Sequence, residues 1–73
     1  MNAIDRVLDR AEAIRYADCD EDTFDALGAF MGIVANMSEK EVARKEGQML
    51  KEMEDSGDRM LGFRLVEVLA GGE

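Results

Sequence analysis

The sequence predicts an all-α fold, a compact bundle of three to four short helices. Apolar residues recur at three- and four-residue intervals along most of the chain, and residues suited to capping helices stand between the periodic stretches. Proline is absent throughout, so no ring interrupts those periods. The 73 residues form one helical domain over residues 1–73, with a frayed tail at about 71–73. A chain of this length buries only about 60% of the surface its unfolded form exposes. Compact-domain scaling gives a radius of gyration of about 11 Å.

Asn2 is the expected N-cap of a first helix over residues 3–17. Ile4, Val7, Leu8, Ala11 and Ile14 share one side of it, and acids mixed with arginines take the other. Asp20 is the expected N-cap of a second helix running to Asn36, with Glu21, Asp22 and Asp25 placed where the helix dipole favours negative charge. Phe24, Leu27, Met31 and Val34 make one stripe on it, and Phe30, Ile33 and Met37 make another. Apolar residues thus cover most of its circumference, which predicts a central, most buried helix. Gly28 and Gly32 lie four apart inside it, at up to about 1 kcal/mol each relative to Ala, and close approach of a neighbouring helix is the expected compensation.

Ser38-Glu39-Lys40-Glu41 is a capping box and opens a third helix. Its apolar face holds Val42, Met49, Leu50 and Met53, and its charged remainder is expected on the surface. Asp55-Ser56-Gly57-Asp58 ends it, with Gly57 as left-handed C-cap and Asp58 as cap for the next segment. Residues 59–70 read as a fourth helix in which Leu61, Leu65, Val68 and Leu69 share a face flanked by Met60 and Phe63. A strand over the same residues is the alternative, given their shortness and β-branched pair. Met31, Met37, Met49, Met53 and Met60 supply an adaptable interior, with an adaptable binding surface as the second reading.

The composition predicts a binding protein and not an enzyme. Histidine, the usual acid–base group near neutral pH, is absent. Cys19 is the sole cysteine, so neither a disulfide nor a multi-cysteine zinc site forms within one chain. Its neighbours Asp18 and Asp20 oppose thiolate formation, and an unpaired thiol suits a reducing cytoplasm. The longest uncharged stretch, residues 26–38, is too short to span a bilayer, and acids interleave with the N-terminal arginines, unlike a signal or transit peptide.

The formal net charge of −8 is unevenly distributed. Residues 18–38 hold Asp18, Asp20, Glu21, Asp22 and Asp25 and no base, and residues 39–58 are again rich in acids, while both ends of the chain balance. Such a field repels nucleic acid and anionic membranes and attracts basic protein surfaces, beside its plain role of keeping a small protein dissolved. Asp18-x-Asp20-x-Asp22 looks like the opening of an EF-hand loop, but the sixth position holds Thr23 in place of Gly and the twelfth Ala29 in place of Glu. No metal or other cofactor is therefore expected. The pairs Asp5 with Asp9 and Glu52 with Asp55 read as solvated faces, since nothing sets their environments apart as acid–base work requires. Gly28-x-x-x-Gly32 lacks the Lys-Ser/Thr of a phosphate loop.

Two classes of function remain: docking of the acids and a few exposed apolar residues on a basic region of a large enzyme, or assembly of a helical homo-oligomer. Acids clustered between balanced ends fit local docking better than mimicry of a whole DNA surface. The run Met1-Asn2-Ala3-Ile4-Asp5-Arg6-Val7-Leu8-Asp9-Arg10, the acidic Asp18-Cys19-Asp20-Glu21-Asp22 and the total length resemble the small RNA-polymerase-binding transcription regulators of lytic phages that infect plant-pathogenic bacteria. That resemblance spans the whole chain through its general appearance, without a diagnostic motif. It implies binding to the two largest subunits of host RNA polymerase, in the host cytoplasm. It further implies inhibition of initiation by displacing the sigma factor, and antitermination during elongation. The charge pattern, independently, points to Asp18, Asp20, Glu21, Asp22 and Asp25 as the partner-binding residues of a monomer that contacts neither nucleic acid nor membrane.

Overall fold

Three of the helices begin where a short polar side chain accepts an N–H that the helix itself leaves unpaired. In the computed structural model, which describes residues 1–17, 20–55 and 59–71, the helices are α1 (Ala3–Arg15), α2 (Glu21–Ala35), α3 (Glu39–Met53) and α4 (Leu61–Gly71). Asn2 Oδ1 accepts from Asp5 N at 2.8 Å, Asp20 Oδ1 from Thr23 N at 2.8 Å, and Ser38 Oγ from Glu41 N at 3.2 Å. The capping box departs from its usual form in one respect, because the Glu41 carboxylate takes the Ser38 hydroxyl at 3.2 Å. Residues 61–71 are helical, which removes the strand alternative. The expected caps Gly57 and Asp58 lie outside the described residues, as do residues 72–73, whereas Gly71, expected in the frayed tail, is the last residue of α4.

Cross-helix pairings set the directions of the four helices. Ala3 meets Glu39 and Arg6 meets Glu46, so α1 and α3 run the same way. Thr23 meets Arg59 and Ala26 meets Gly62, so α2 and α4 also run together. Arg15 reaches Phe24, Lys45 reaches Leu69 and Glu52 reaches Arg64, which makes α1 with α2 and α3 with α4 antiparallel. The helices therefore form a ring in which α1 and α4 each pack on α2 and α3. The α2–α3 connection crosses a diagonal of that ring. Its radius of gyration is 11.0 Å, the value expected for a well-compacted chain of this length.

The ring encloses Val7, Ala11 and Ile14 of α1, Leu27, Phe30 and Val34 of α2, Val42, Met49 and Met53 of α3, and Leu61 and Leu65 of α4. Of the methionines, Met49 and Met53 are core, Met31 and Met37 half-buried, and Met60 is 55% exposed. Three sequence expectations are corrected by this arrangement. First, α2 is not a central helix: each helix of a ring has two neighbours, so α2 buries one face and leaves Ile33 42% exposed. Second, Lys45 is not on the surface. It is 7% exposed, and its Nζ donates to the carbonyls of Val68 at 3.2 Å and Leu69 at 2.7 Å. A cation there satisfies acceptors that the C-terminal turn of α4 cannot pair internally.

The third correction concerns the glycines. Nothing approaches α2 at Gly32, and at Gly28 the nearest group is the side chain of Arg15 from α1, not helix backbone. A Cβ on Gly28 would lie 2.6 Å from the Arg15 guanidinium, and one on Gly32 would meet nothing within 4 Å. Gly28 instead leaves room for Arg15 to lie flat on α2, its Cζ 3.8 Å from the Phe24 ring centroid and its Nε donating to Phe24 O at 3.0 Å. Close helix approach occurs at Gly62 of α4, where a Cβ would fall 3.0 Å from the Ala26 carbonyl carbon and 3.2 Å from its Cα. Backbone cannot yield as a side-chain tip can. Gly32→Ala should therefore raise unfolding free energy by about 0.5–1 kcal/mol through helix propensity. Gly62→Ala should lower it by about 1–3 kcal/mol through overpacking. Urea unfolding of both variants checks this, and equal effects would refute a backbone contact confined to Gly62.

Candidate protein-docking surface

The start of α2 carries four of the five acids that the charge pattern selects, and the structure divides them by use. Asp18 lies outside the described residues. Asp20 is occupied as the N-cap and also pairs with Arg59, Nε to Oδ2 at 3.2 Å. Asp22 stands 3.9 Å from the same guanidinium. Glu21 and Asp25 are exposed one turn apart on α2. Arg59 precedes α4, so this cluster closes the end of the bundle where α2 and α4 both begin. Hydrogen bonding from Thr23, by side chain and then backbone, holds the Asp20 carboxyl below its ordinary range, with Arg59 adding to the effect.

Beside this cluster runs a feature that the sequence reading missed. An apolar groove of about 450 Å³ lies between α2 and α4, floored by Ala26, Ala29 and Gly62 and walled by Ile33, Met60, Phe63 and Val66. Phe63 is 57% exposed. The groove exists because two helices meet through Ala26 and Gly62, residues too small to fill the surface above their own contact. Asp22, Ala26, Ala29 and Ile33 follow spacings of four, three and four, which puts them on one line along α2. The acidic cluster is therefore continuous with one end of the groove. Glu67 lines it farther along α4. The breadth of apolar residues around α2 was the available signal, since Ile33 lies beyond what two neighbours cover while Phe30 of the same stripe is buried.

Several other charged groups pair within the bundle. Glu52 and Asp55 both face Arg64, at 2.7 Å and 3.7 Å, so this carboxylate pair grips a guanidinium between α3 and α4. Asp5 and Asp9 edge a shallower depression of about 340 Å³ with Glu12, over Leu8 and Met31. Arg6 meets Glu46 through two hydrogen bonds, Nη2 to Oε1 at 2.9 Å and Nε to Oε2, and that contact lowers the Glu46 carboxyl and raises the Arg6 guanidinium. Among the described residues, no group of three or more Cys, Asp or Glu side chains is placed to hold a metal ion, and no helix is long and apolar enough to cross a membrane.

Comparison with protein-family models, with curated proteins and with solved structures gives no match for this chain. Any functional reading therefore starts from the surface itself. The Asp20 cap has a measurable consequence. A carboxyl lowered on folding contributes stability above its unfolded value, about 3.9 for Asp, and loses it as pH falls through the lower folded value. Glu46 titrates in the same sense. Asp20→Asn keeps the cap acceptor and removes the charge. Its melting temperature should fall less steeply than that of the wild type between about pH 4 and pH 2. Parallel acid limbs for the two proteins would show that Asp20 carries no such linkage.

Proposed function

We propose that this chain is a phage-encoded transcription regulator that acts by binding host RNA polymerase, without catalysis of its own. It inhibits initiation by displacing the sigma factor and promotes antitermination during elongation. One observation supports a protein-docking role above others: the exposed apolar groove of α2 and α4 is continuous with acids that face outward. Exposed apolar patches rimmed by polar residues mark interaction sites, and charge of one sign selects partners of the other. Polymerase surfaces that hold nucleic acid are basic, and the polymerase partner itself comes from the resemblance of the N-terminal and acidic runs. A monomeric state agrees with mutual repulsion between copies of net charge −8, and the host cytoplasm as its place of action comes from the resemblance.

Purified protein should bind host RNA polymerase core, reduce sigma-dependent promoter initiation and show no affinity for free duplex DNA. Association should slow as salt rises, because exposed charges more than about 10 Å apart are screened near 0.1 M. Glu21 and Asp25 are the residues to reverse, since Asp20 also caps α2 and its loss would confound folding with binding. Glu21→Lys with Asp25→Lys should lower the association rate about tenfold while helicity by circular dichroism is kept. Absence of wild-type binding would end the polymerase reading. A stable homo-oligomer by light scattering would then favour the assembly role.

A further inference from the structure

We infer that the α2/α4 groove receives a short amphipathic helix of the partner, apolar face inward, with a basic residue seated over Asp22 and Asp25. This deepens the docking reading above and rests on it for the identity of the partner, while the groove and its chemistry stand on the structure. The apolar walls Ile33, Met60, Phe63 and Val66 leave room above the small floor residues Ala26 and Ala29. From Ala26 to Ile33 the groove follows about two turns of α2, or about 10 Å at 1.5 Å per residue. Two turns are the span over which an amphipathic helix offers anchors at i, i+3, i+4 and i+7.

Charge selects among possible occupants. Asp22 precedes Ala26 and Asp25 precedes Ala29 by four residues of α2, so both stand one turn before the groove floor, and Glu67 lines the groove farther along. Arg64 lines the groove and is held by Glu52 and Asp55, and Arg59, beside the acidic end, is paired with Asp20 and Asp22, so neither cation is left to offset Asp25 and Glu67. The rim therefore presents negative charge beside an apolar floor, which favours a segment that is apolar on one face and basic at its edge. Nucleic acid fails on charge. A second copy of this chain fails on shape: its exposed basic stripe, Lys40, Arg44 and Lys51, carries only Gly47 between its charges and offers no apolar anchor. Each copy also brings net charge −8.

Two synthetic helical peptides test the inference, both with Leu at i, i+3, i+4 and i+7, one flanked by Lys and the other by Glu. Titrated into the labelled full chain, the Lys-flanked peptide should shift the amide signals of Ala26, Ala29, Ile33, Gly62, Phe63 and Val66. It should bind about tenfold or more tightly than its Glu-flanked counterpart, a difference of about 1.4 kcal/mol. Phe63→Ser and Ile33→Ser remove exposed side chains, so the fold should persist by circular dichroism while affinity for the Lys-flanked peptide drops about tenfold. Overturning results are shifts confined to other helices, equal affinity for both peptides, no binding of either, or indifference to Phe63→Ser. Groove shifts that grow with protein concentration in the absence of peptide would assign the surface to a second copy and also overturn it. Polymerase core supplies the separate arm. Wild-type binding that survives Phe63→Ser sinks the groove and leaves the polymerase reading standing. Peptide binding in the groove without polymerase binding does the reverse.

Discussion

Two pairs of neighbouring helices run in the same direction, and this constraint shapes much of the rest of the molecule. Parallel helices bring like ends of their dipoles together, each end equivalent to roughly half an elementary charge. At the α1/α3 end, one carboxylate serves both helices: Glu39 stands in the first turn of α3 and accepts from Ala3 N at 2.9 Å and Ile4 N at 3.1 Å of α1. At the α2/α4 end, Asp20 and Asp22 fill the corresponding place and Arg59 bridges them to the entry of α4. Lys45 closes the opposite end of α4 by donating to two of its last carbonyls. Opposite charge thus meets helix termini at several places where the ring would otherwise leave them unpaired.

The same parallel packing produces the surface. Helices α2 and α4 approach closely at Ala26 and Gly62, and contact through such small residues leaves a trough above it. Larger residues on either side, Ile33 and Phe63 among them, become walls instead of core. A ring of four short helices gives each member two neighbours, so of the second apolar stripe on α2 Phe30 is buried, Met37 half-buried and Ile33 left outside. Exposure of Ile33 lowers the apolar area removed from water, at about 25 cal/mol per Å². A binding surface is a physical reason for a small domain to tolerate that loss.

The acids accordingly have two uses that net charge does not separate. Asp20, Glu39, Glu46, Glu52 and Asp55 are tied to N–H groups or guanidiniums of the bundle itself. Glu21 and Asp25 project from the start of α2. The first set holds helices in register and the second supplies the outward field next to the groove. A local docking surface follows from this division, with electrostatics setting the rate of encounter and the groove setting the fit.

Much of the local structure was legible in the sequence because its causes are local. Asn2, Asp20 and Ser38 cap their helices through atoms three residues away, and the 3.6-residue period marks Val7, Leu27, Phe30, Val42 and Leu65 as inward-facing. The acidic start of α2 is likewise a property of adjacent residues. Pairings between distant residues were not legible. Nothing local to Lys45 shows that α4 ends against it, and nothing local to Glu39 shows that it caps α1 as well as beginning α3. Gly28, Gly32 and Gly62 look alike as letters, yet one accommodates an arginine, one faces open space and one touches a helix backbone. Ile33 reads as part of a buried stripe and Phe63 as the flank of one, because apolarity alone points inward, and only the number of neighbours each helix gains decides which apolar residues are covered. Sequence by itself determined where helices begin, which way most side chains face and how the charge is distributed. Tertiary structure decided which helices run together, because that choice depends on fits between surfaces that no single segment contains.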